Sequence, residues 1–155
     1  GALRVLTQAD PPAVGIAHMM RLLNDATGEL LCWLATFTIM LLFWFRADTV
    51  GGVQRGDDDI YFNSEGYLCV VVRRVKRGTA HIRAFVKSIA PPDAANDLRC
   101  MIWKKIKIAL QIKGLDGTRL MGPQLWGDDP KRVYDIITRK MKEILLTYFF
   151  SSHLK

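Results

Sequence analysis

Cysteine is scarce and scattered in this chain. Cys32, Cys69 and Cys100 are the only three, no two of them form a CxxC pair, and no His stands within four residues of any. That spacing offers neither a disulfide framework nor a zinc site. Cys32 and Cys69 each sit inside an apolar run and read as buried thiols of a reducing compartment. Phosphate-cradling glycine patterns are missing too: GGVQRG follows a helical stretch and lacks the Lys-Ser/Thr ending of a P-loop. There is no GxSxG, and His18, His81 and His153 are too dispersed to suggest a triad. The acidic triplet Asp57–Asp59 invites a magnesium reading. Adjacent residues on an extended chain point in different directions, however, so a solvated turn is expected there. No metal and no cofactor is predicted. The N-terminal GALRVLTQADPPAV has no basic region leading into an apolar core, so a secretory signal is not expected, and the chain opens on Gly, as a processed product or a fragment would.

What is present is apolar and basic. At 155 residues, half of them hydrophobic, one compact domain spanning residues 1–155 is expected. Twenty-two Lys and Arg against fifteen Asp and Glu give a net charge of +7, which favours an anionic partner such as nucleic acid or acidic lipid. The dominant feature is Leu30–Phe45, LLCWLATFTIMLLFWF, interrupted only by Thr36 and Thr38 and followed at once by Arg46. Such a run must be buried in a core or in lipid. It is shorter than the ~20 residues a span needs, so a central core helix is preferred and a membrane span is the alternative. Trp33 and Trp44 in this run, and Trp103 further on, are not spaced as a base-stacking platform and read as core or interface packing.

Taken in order, residues 1–10 are a lead-in. Pro11 and Pro12 open a helix over about 12–26, striped by Ile16, Met19, Met20 and Leu23, with His18 beside the stripe. Gly28 closes it, and the apolar helix follows. Residues 46–56 form an Arg-led segment in which ADTVGGVQ allows a short helix. Over 57–89, DIYF, YLCVVVRRV and TAHIRAFVKSI read as three strands joined by the turns NSEG and KRG, an antiparallel meander. Helices fill 91–150. The first starts at Pro92 and Asp93, carries Leu98, Met101, Ile102, Ile106 and Ala109 inward, and stops at Gly114. LDGTRLMGPQLWG is loop. The last helix takes Asp129 as cap and Pro130 at its first position, with Val133, Ile136, Ile137, Met141, Ile144 and Leu145 inward. The predicted class is α+β: a mainly helical domain with a three-stranded antiparallel β-meander.

Two positions stand out chemically. Arg46 ends the apolar helix, and Lys76 sits in RRVKRG with Arg73, Arg74 and Arg77 around it. A helix-held Arg beside a cationic hairpin tip suits a phosphodiester, because Arg binds phosphate oxygens bidentately and Lys delivers a proton when its pKa is lowered. A solvated turn is the plain alternative for Arg73 to Arg77.

The order of these parts resembles the catalytic domain of tyrosine recombinases. FRADTV followed by DDDIYF is similar to that family's first catalytic Arg and the strand after it, with Asp48 and Thr49 where Ser and Glu are usual. Lys76 matches the Lys of the family's second hairpin, HIRAFVKSIAPP its third strand, and GPQLW the segment before the next helix. SSHLK resembles the start of the H-x-x-R box of mobile-element members, with His153 as its His and Lys155 near the place of the second Arg. The likeness covers about residues 28–153 and implies Arg46, Lys76 and His153 as catalytic-type residues, Arg73, Arg74 and Arg77 as DNA-contacting ones, and duplex DNA as the partner. It also implies a domain cut short at residues 151–155. The second Arg and the nucleophilic Tyr that the family places beyond this point are not in the chain, and Tyr134 and Tyr148 precede the box. The polypeptide alone is therefore expected to hold DNA in a nucleus, nucleoid or cytoplasm without cleaving or rejoining it. Two other functions stay open: a membrane-associated structural subunit with Leu30–Phe45 in the bilayer, or a decayed fold acting as a protein-interaction module. In the latter, apolar surface around Leu145 to Phe150 would recruit a second copy or a partner protein.

Overall fold

A computed structural model describes residues 12–46, 49–50, 59–75 and 82–150, with side chains for 17–46, 49–50, 59–73 and 83–149. Helix α1 spans Pro12–Asp25 and α2 spans Gly28–Phe43. A sheet of β1 (Ile60–Phe62), β2 (Leu68–Val75) and β3 (Ile82–Ile89) follows. Helices α3 (Asp97–Gln111), α4 (Pro123–Trp126) and α5 (Val133–Leu145) complete the order, and α5 runs on into a π-helical turn, Leu146–Phe150. The class is α+β with one three-stranded antiparallel sheet in the order β1-β2-β3.

Helix α2 is the centre of the core. Leu31 to Phe37 are buried without a break, and Ile39 and Phe43 continue the buried set. Among the described residues no helix is long and apolar enough to cross a membrane. The two threonines tolerate this burial because their hydroxyls donate back to the helix, Thr36 to Cys32 O at 2.8 Å and Thr38 to Leu34 O at 2.7 Å. Glu29 in the first turn complements the helix dipole. The far end closes in a Schellman arrangement: Phe45 N–H donates to Met40 O at 2.8 Å, and Trp44 takes the left-handed conformation with φ 57°. Trp44 is thereby turned out of the core and is 89% exposed, which removes the core half of its core-or-interface reading.

The sheet lays Ile60, Leu68, Val70 and Val72 inward, all but inaccessible, while β3 contributes Phe85 and Ile89 at the edge of the core. This is the period-2 alternation of a sheet with one covered face. The turn between β1 and β2 is set by Asn63, whose carboxamide oxygen accepts from Glu65 N and Tyr67 N, both at 2.9 Å. Gly66 supplies the φ of +82° that the turn needs. In β2 the ladder runs on to Val75, paired with Ile82.

The last third differs from its sequence pattern in three places. Helix α3 begins at Asp97, because Asn96 is the cap and accepts from Arg99 N at 3.1 Å. Asp93 instead closes a turn before it, accepting from Ala95 N at 2.9 Å. Trp103 takes the inward position, and Leu98, expected inward, is exposed. The stretch expected as loop holds helix α4 and three deeply buried side chains, Met121, Leu125 and Trp126. Asp129 caps a turn, accepting from Lys131 N at 3.0 Å, and α5 starts only at Val133. The α5 stripe is otherwise as its spacing predicts, with Val133, Ile137 and Ile144 buried and Ile136, Met141 and Leu145 half-buried.

Cys32 and Cys69 are buried free thiols. Burial, and then the Glu29 carboxylate, push the Cys32 thiol from the usual 9.0 up to about 11. A thiol held neutral in the fold contributes stability that is present in full below the unfolded value and lost as pH rises through about 11. Urea midpoints taken at about pH 8 and about pH 11 are expected to fall further for the native chain than for Cys32→Ala. An equal fall in both would remove Cys32 as the cause.

Candidate functional site

Arg46 stands two residues beyond the αL end of α2, exposed, with its carbonyl accepting from Thr49 N at 3.0 Å. What fixes its position is Phe45. That ring stacks on Phe43 at 5.3 Å between centroids and lies beneath the Lys87 ammonium, 5.4 Å from the ring centre. A cation over an aromatic face is attracted by the ring quadrupole, so β3 and the end of α2 are tied at this point.

Lys87 shares its sheet face with Arg83, Phe85 and Ile89, by the alternation of β3. Phe85 and Ile89 pack on the core, and Arg83 is exposed. The face against which the Arg46 segment sits therefore carries Lys87 and, toward the β2–β3 connection, Arg83. In the ladder, Arg83 is the partner of Arg74. Neither Arg83 nor Lys87 was singled out from the sequence. The signal was available in R-A-F-V-K, where residues four apart on a strand share a face.

Arg73 lies inside β2, opposite Ala84, as the strand YLCVVVRRV predicts and not in a solvated turn. Its guanidinium grips Asp59 bidentately, Nη1 to Oδ2 at 2.6 Å and Nη2 to Oδ1 at 2.8 Å. Asp59, expected in a solvated turn, is only 4% exposed. The carboxylate holds the Arg73 guanidinium above its usual pKa. The reason is register: Asp59 O accepts from Val71 N at 2.8 Å, which sets Asp59 opposite Val71, two residues from Arg73 and on the same face of the sheet. Arg119, also unforeseen, donates to Ile60 O at 2.9 Å and ties the α3–α4 segment to the start of β1.

Lys76, Arg77 and His153 lie outside the described residues, as does the Arg74 side chain. The structure thus ties the segment that bears Arg46 to β3 through Phe45 and Lys87, places Arg83 four residues further along the same face of β3, and assigns Arg73 to an internal ion pair. His18 rests half-buried on Phe149, 4.6 Å between ring centres. Among the described residues no group of His, Cys, Asp or Glu is placed to hold a metal ion.

Comparison with protein-family models, with curated proteins and with solved structures found no match.

Proposed function

We propose that the chain is a tyrosine-recombinase-like domain that grips the backbone of duplex DNA through Arg46 and the β2–β3 hairpin, and that the 155-residue polypeptide by itself neither cleaves nor rejoins strands. The observation that carries this reading is the junction at Phe45. The Lys87 ammonium lies over that ring, next in sequence to exposed Arg46, and Arg83 is exposed on the same face of β3 as Lys87. The end of α2 and strand β3 thus each carry cations close to this junction, which supports contact with an anionic backbone beyond what charge composition alone provides. The sequence likeness in Arg46, Lys76 and His153 supplies the family, and the meander order β1-β2-β3 is compatible with it. A DNA-binding role is consistent with a nuclear or nucleoid location.

Affinity of this kind is electrostatic and falls steeply with salt. Fluorescence anisotropy with a labelled duplex is expected to show binding at low salt, and Arg46→Ala with Lys76→Ala is expected to lower the slope of log K against log salt by about two. No binding at low salt, or an unchanged slope in the double variant, would overturn the DNA role. Incubation of this polypeptide with a nicked suicide duplex is expected to give no covalent adduct, because Tyr134 and Tyr148 precede His153 whereas the resemblance places the nucleophile after it. An adduct would refute the inactive half of the proposal.

A further inference from the structure

Phe45 belongs to two surroundings at once. It helps to line an open cavity of about 360 Å³ that α1, α2, α5 and the π-helical turn leave between them. The same ring has the Lys87 ammonium 5.4 Å from its centre, and Arg46 follows it in the chain. The rest of the wall is apolar and soft, with Met19 of α1, Met40 of α2, Met141 of α5 and Phe149 of the turn. Leu41, 66% exposed, and Trp44, 89% exposed, also line it, so the cavity opens at the end of α2 that leads into Arg46.

Size, charge and backbone each bear on what fills it. An apolar cavity of about 150 Å³ already takes benzene, and small-molecule sites begin near 300 Å³. The space is therefore large enough for one slender apolar chain, whereas a stable protein interface needs on the order of 800 Å² from each partner. No charged side chain stands in the wall, and among the described residues no carboxylate pairs with Arg46 or Lys87. Glu143, between Met141 and Ile144 on α5, is held by Lys140 at 3.2 Å. Trp44 is the only non-glycine described residue with positive φ, at a helix end where Gly is the usual occupant. That conformation is unfavourable for a residue with a Cβ, and here it holds an indole at the opening.

We infer that the cavity binds a single-chain anionic amphiphile, a free fatty acid, with its alkyl chain among the methionines and its carboxylate on Arg46 and Lys87. Burial of the chain supplies the affinity, and unbranched thioether side chains adapt to a flexible guest. The guanidinium can take a carboxylate through two parallel N–H donors, and the ammonium adds a second positive charge. The charge complementarity lies at one end of the cavity only, which is what an amphiphile has and a plain hydrocarbon lacks. The site stands whether or not the same cations also meet DNA, and its test contains no DNA.

The test is titration of the full chain with monomeric decanoate, followed by calorimetry and by acrylamide quenching of tryptophan fluorescence. Trp33, Trp103 and Trp126 are buried, so quenching reports Trp44. The expected result is one decanoate per chain, with Trp44 shielded from acrylamide and no such change in Trp44→Phe. Octanoate is expected to bind more weakly by about fourfold for each methylene removed. Arg46→Gln with Lys87→Gln is expected to lower decanoate affinity roughly tenfold and to leave decanol unaffected. Arg83→Gln, four residues along β3 and so about a Debye length away, is expected to change neither. Met141→Trp narrows the cavity and is expected to weaken decanoate and decanol together. Sedimentation is expected to give the 17.6 kDa mass with and without decanoate. Absence of saturable decanoate binding, binding that leaves Trp44 quenching unchanged, or equal affinity for decanol and decanoate would each overturn the inference. So would a dimer that decanoate dissociates, which would give the cavity to a second copy, or attachment to anionic vesicles without uptake of the monomer.

Discussion

Replacing Trp126 by alanine is expected to cost about 4 kcal/mol, which is about a quarter or more of the stability of an ordinary domain. Trp126 is 2% exposed and is the largest of the fully buried side chains. It closes a small void together with Thr36 and Ile39 of α2, Ile60 and Val70 of the sheet, and Met121, so its ring is where helix and sheet layers meet. Its indole N–H donates to the Thr36 hydroxyl at 3.1 Å, and that hydroxyl in turn donates to Cys32 O. Alanine removes the ring and opens a cavity that rigid neighbours from α2, β1 and β2 cannot fill. For a chain of this size the melting temperature is expected to drop by roughly 8–16 °C. Thr36→Val tests the polar part separately. It keeps the shape but leaves a buried indole N–H without its acceptor, at an expected cost of about 1–3 kcal/mol. A double-mutant cycle in thermal or urea unfolding gives the coupling between the two residues. A Trp126→Ala loss below about 1 kcal/mol would show that the void is not part of a packed core.

Trp126 also marks where reading the sequence stops working. The long apolar helix was legible because nothing but burial accommodates Leu30–Phe45, and the strands were legible because Val70, Val71 and Val72 and the turn residues Asn63 and Gly66 carry local signals. The segment LDGTRLMGPQLWG has no period at all. Its Gly and Pro residues announce a loop, and the burial of Met121, Leu125 and Trp126 depends on partners ninety residues away in α2. Cap positions failed for a different reason. Asp93 and Asn96, like Asp129 and Arg132, compete for the same turn of backbone, and an Asx turn and a helix cap use the same carboxylate or carboxamide chemistry. For Trp44 the sequence left core and interface packing open, because composition says only that it is apolar. Its exposure follows from one backbone angle at the helix end.

The candidate site was half legible. Arg46 could be placed because a helix of known length precedes it. Lys87 could not, since its place depends on how β3 lies against Phe45, a tertiary contact without a local signature. Arg73 looked like part of a basic tip because four cations occur within five residues. Cross-strand register then separated it from the others.

That separation gives the second large expectation. Arg73→Ala should cost about 3 kcal/mol, because it takes a bidentate guanidinium from a carboxylate that is 5% exposed at the side chain. The figure sits at the low end for buried pairs because the Arg73 side chain is itself 28% exposed. Replacing both partners, Asp59→Leu with Arg73→Met, should recover most of the loss, since no charge is then left in the sheet flank. Stability and DNA binding should also come apart here. If Arg73 is committed to Asp59, Arg73→Ala lowers the melting temperature and leaves the salt slope of DNA binding unchanged, provided binding is measured well below the transition. Arg83→Ala should do the reverse, with little effect on unfolding and a salt slope lower by about one. The physical basis is that a guanidinium already saturated by a carboxylate has little positive field to offer a phosphate, whereas an exposed Arg on the same sheet releases a counterion when it binds. A drop in DNA slope for Arg73→Ala at constant stability would return Arg73 to the binding surface and reduce Asp59 to a partner held only in the absence of DNA.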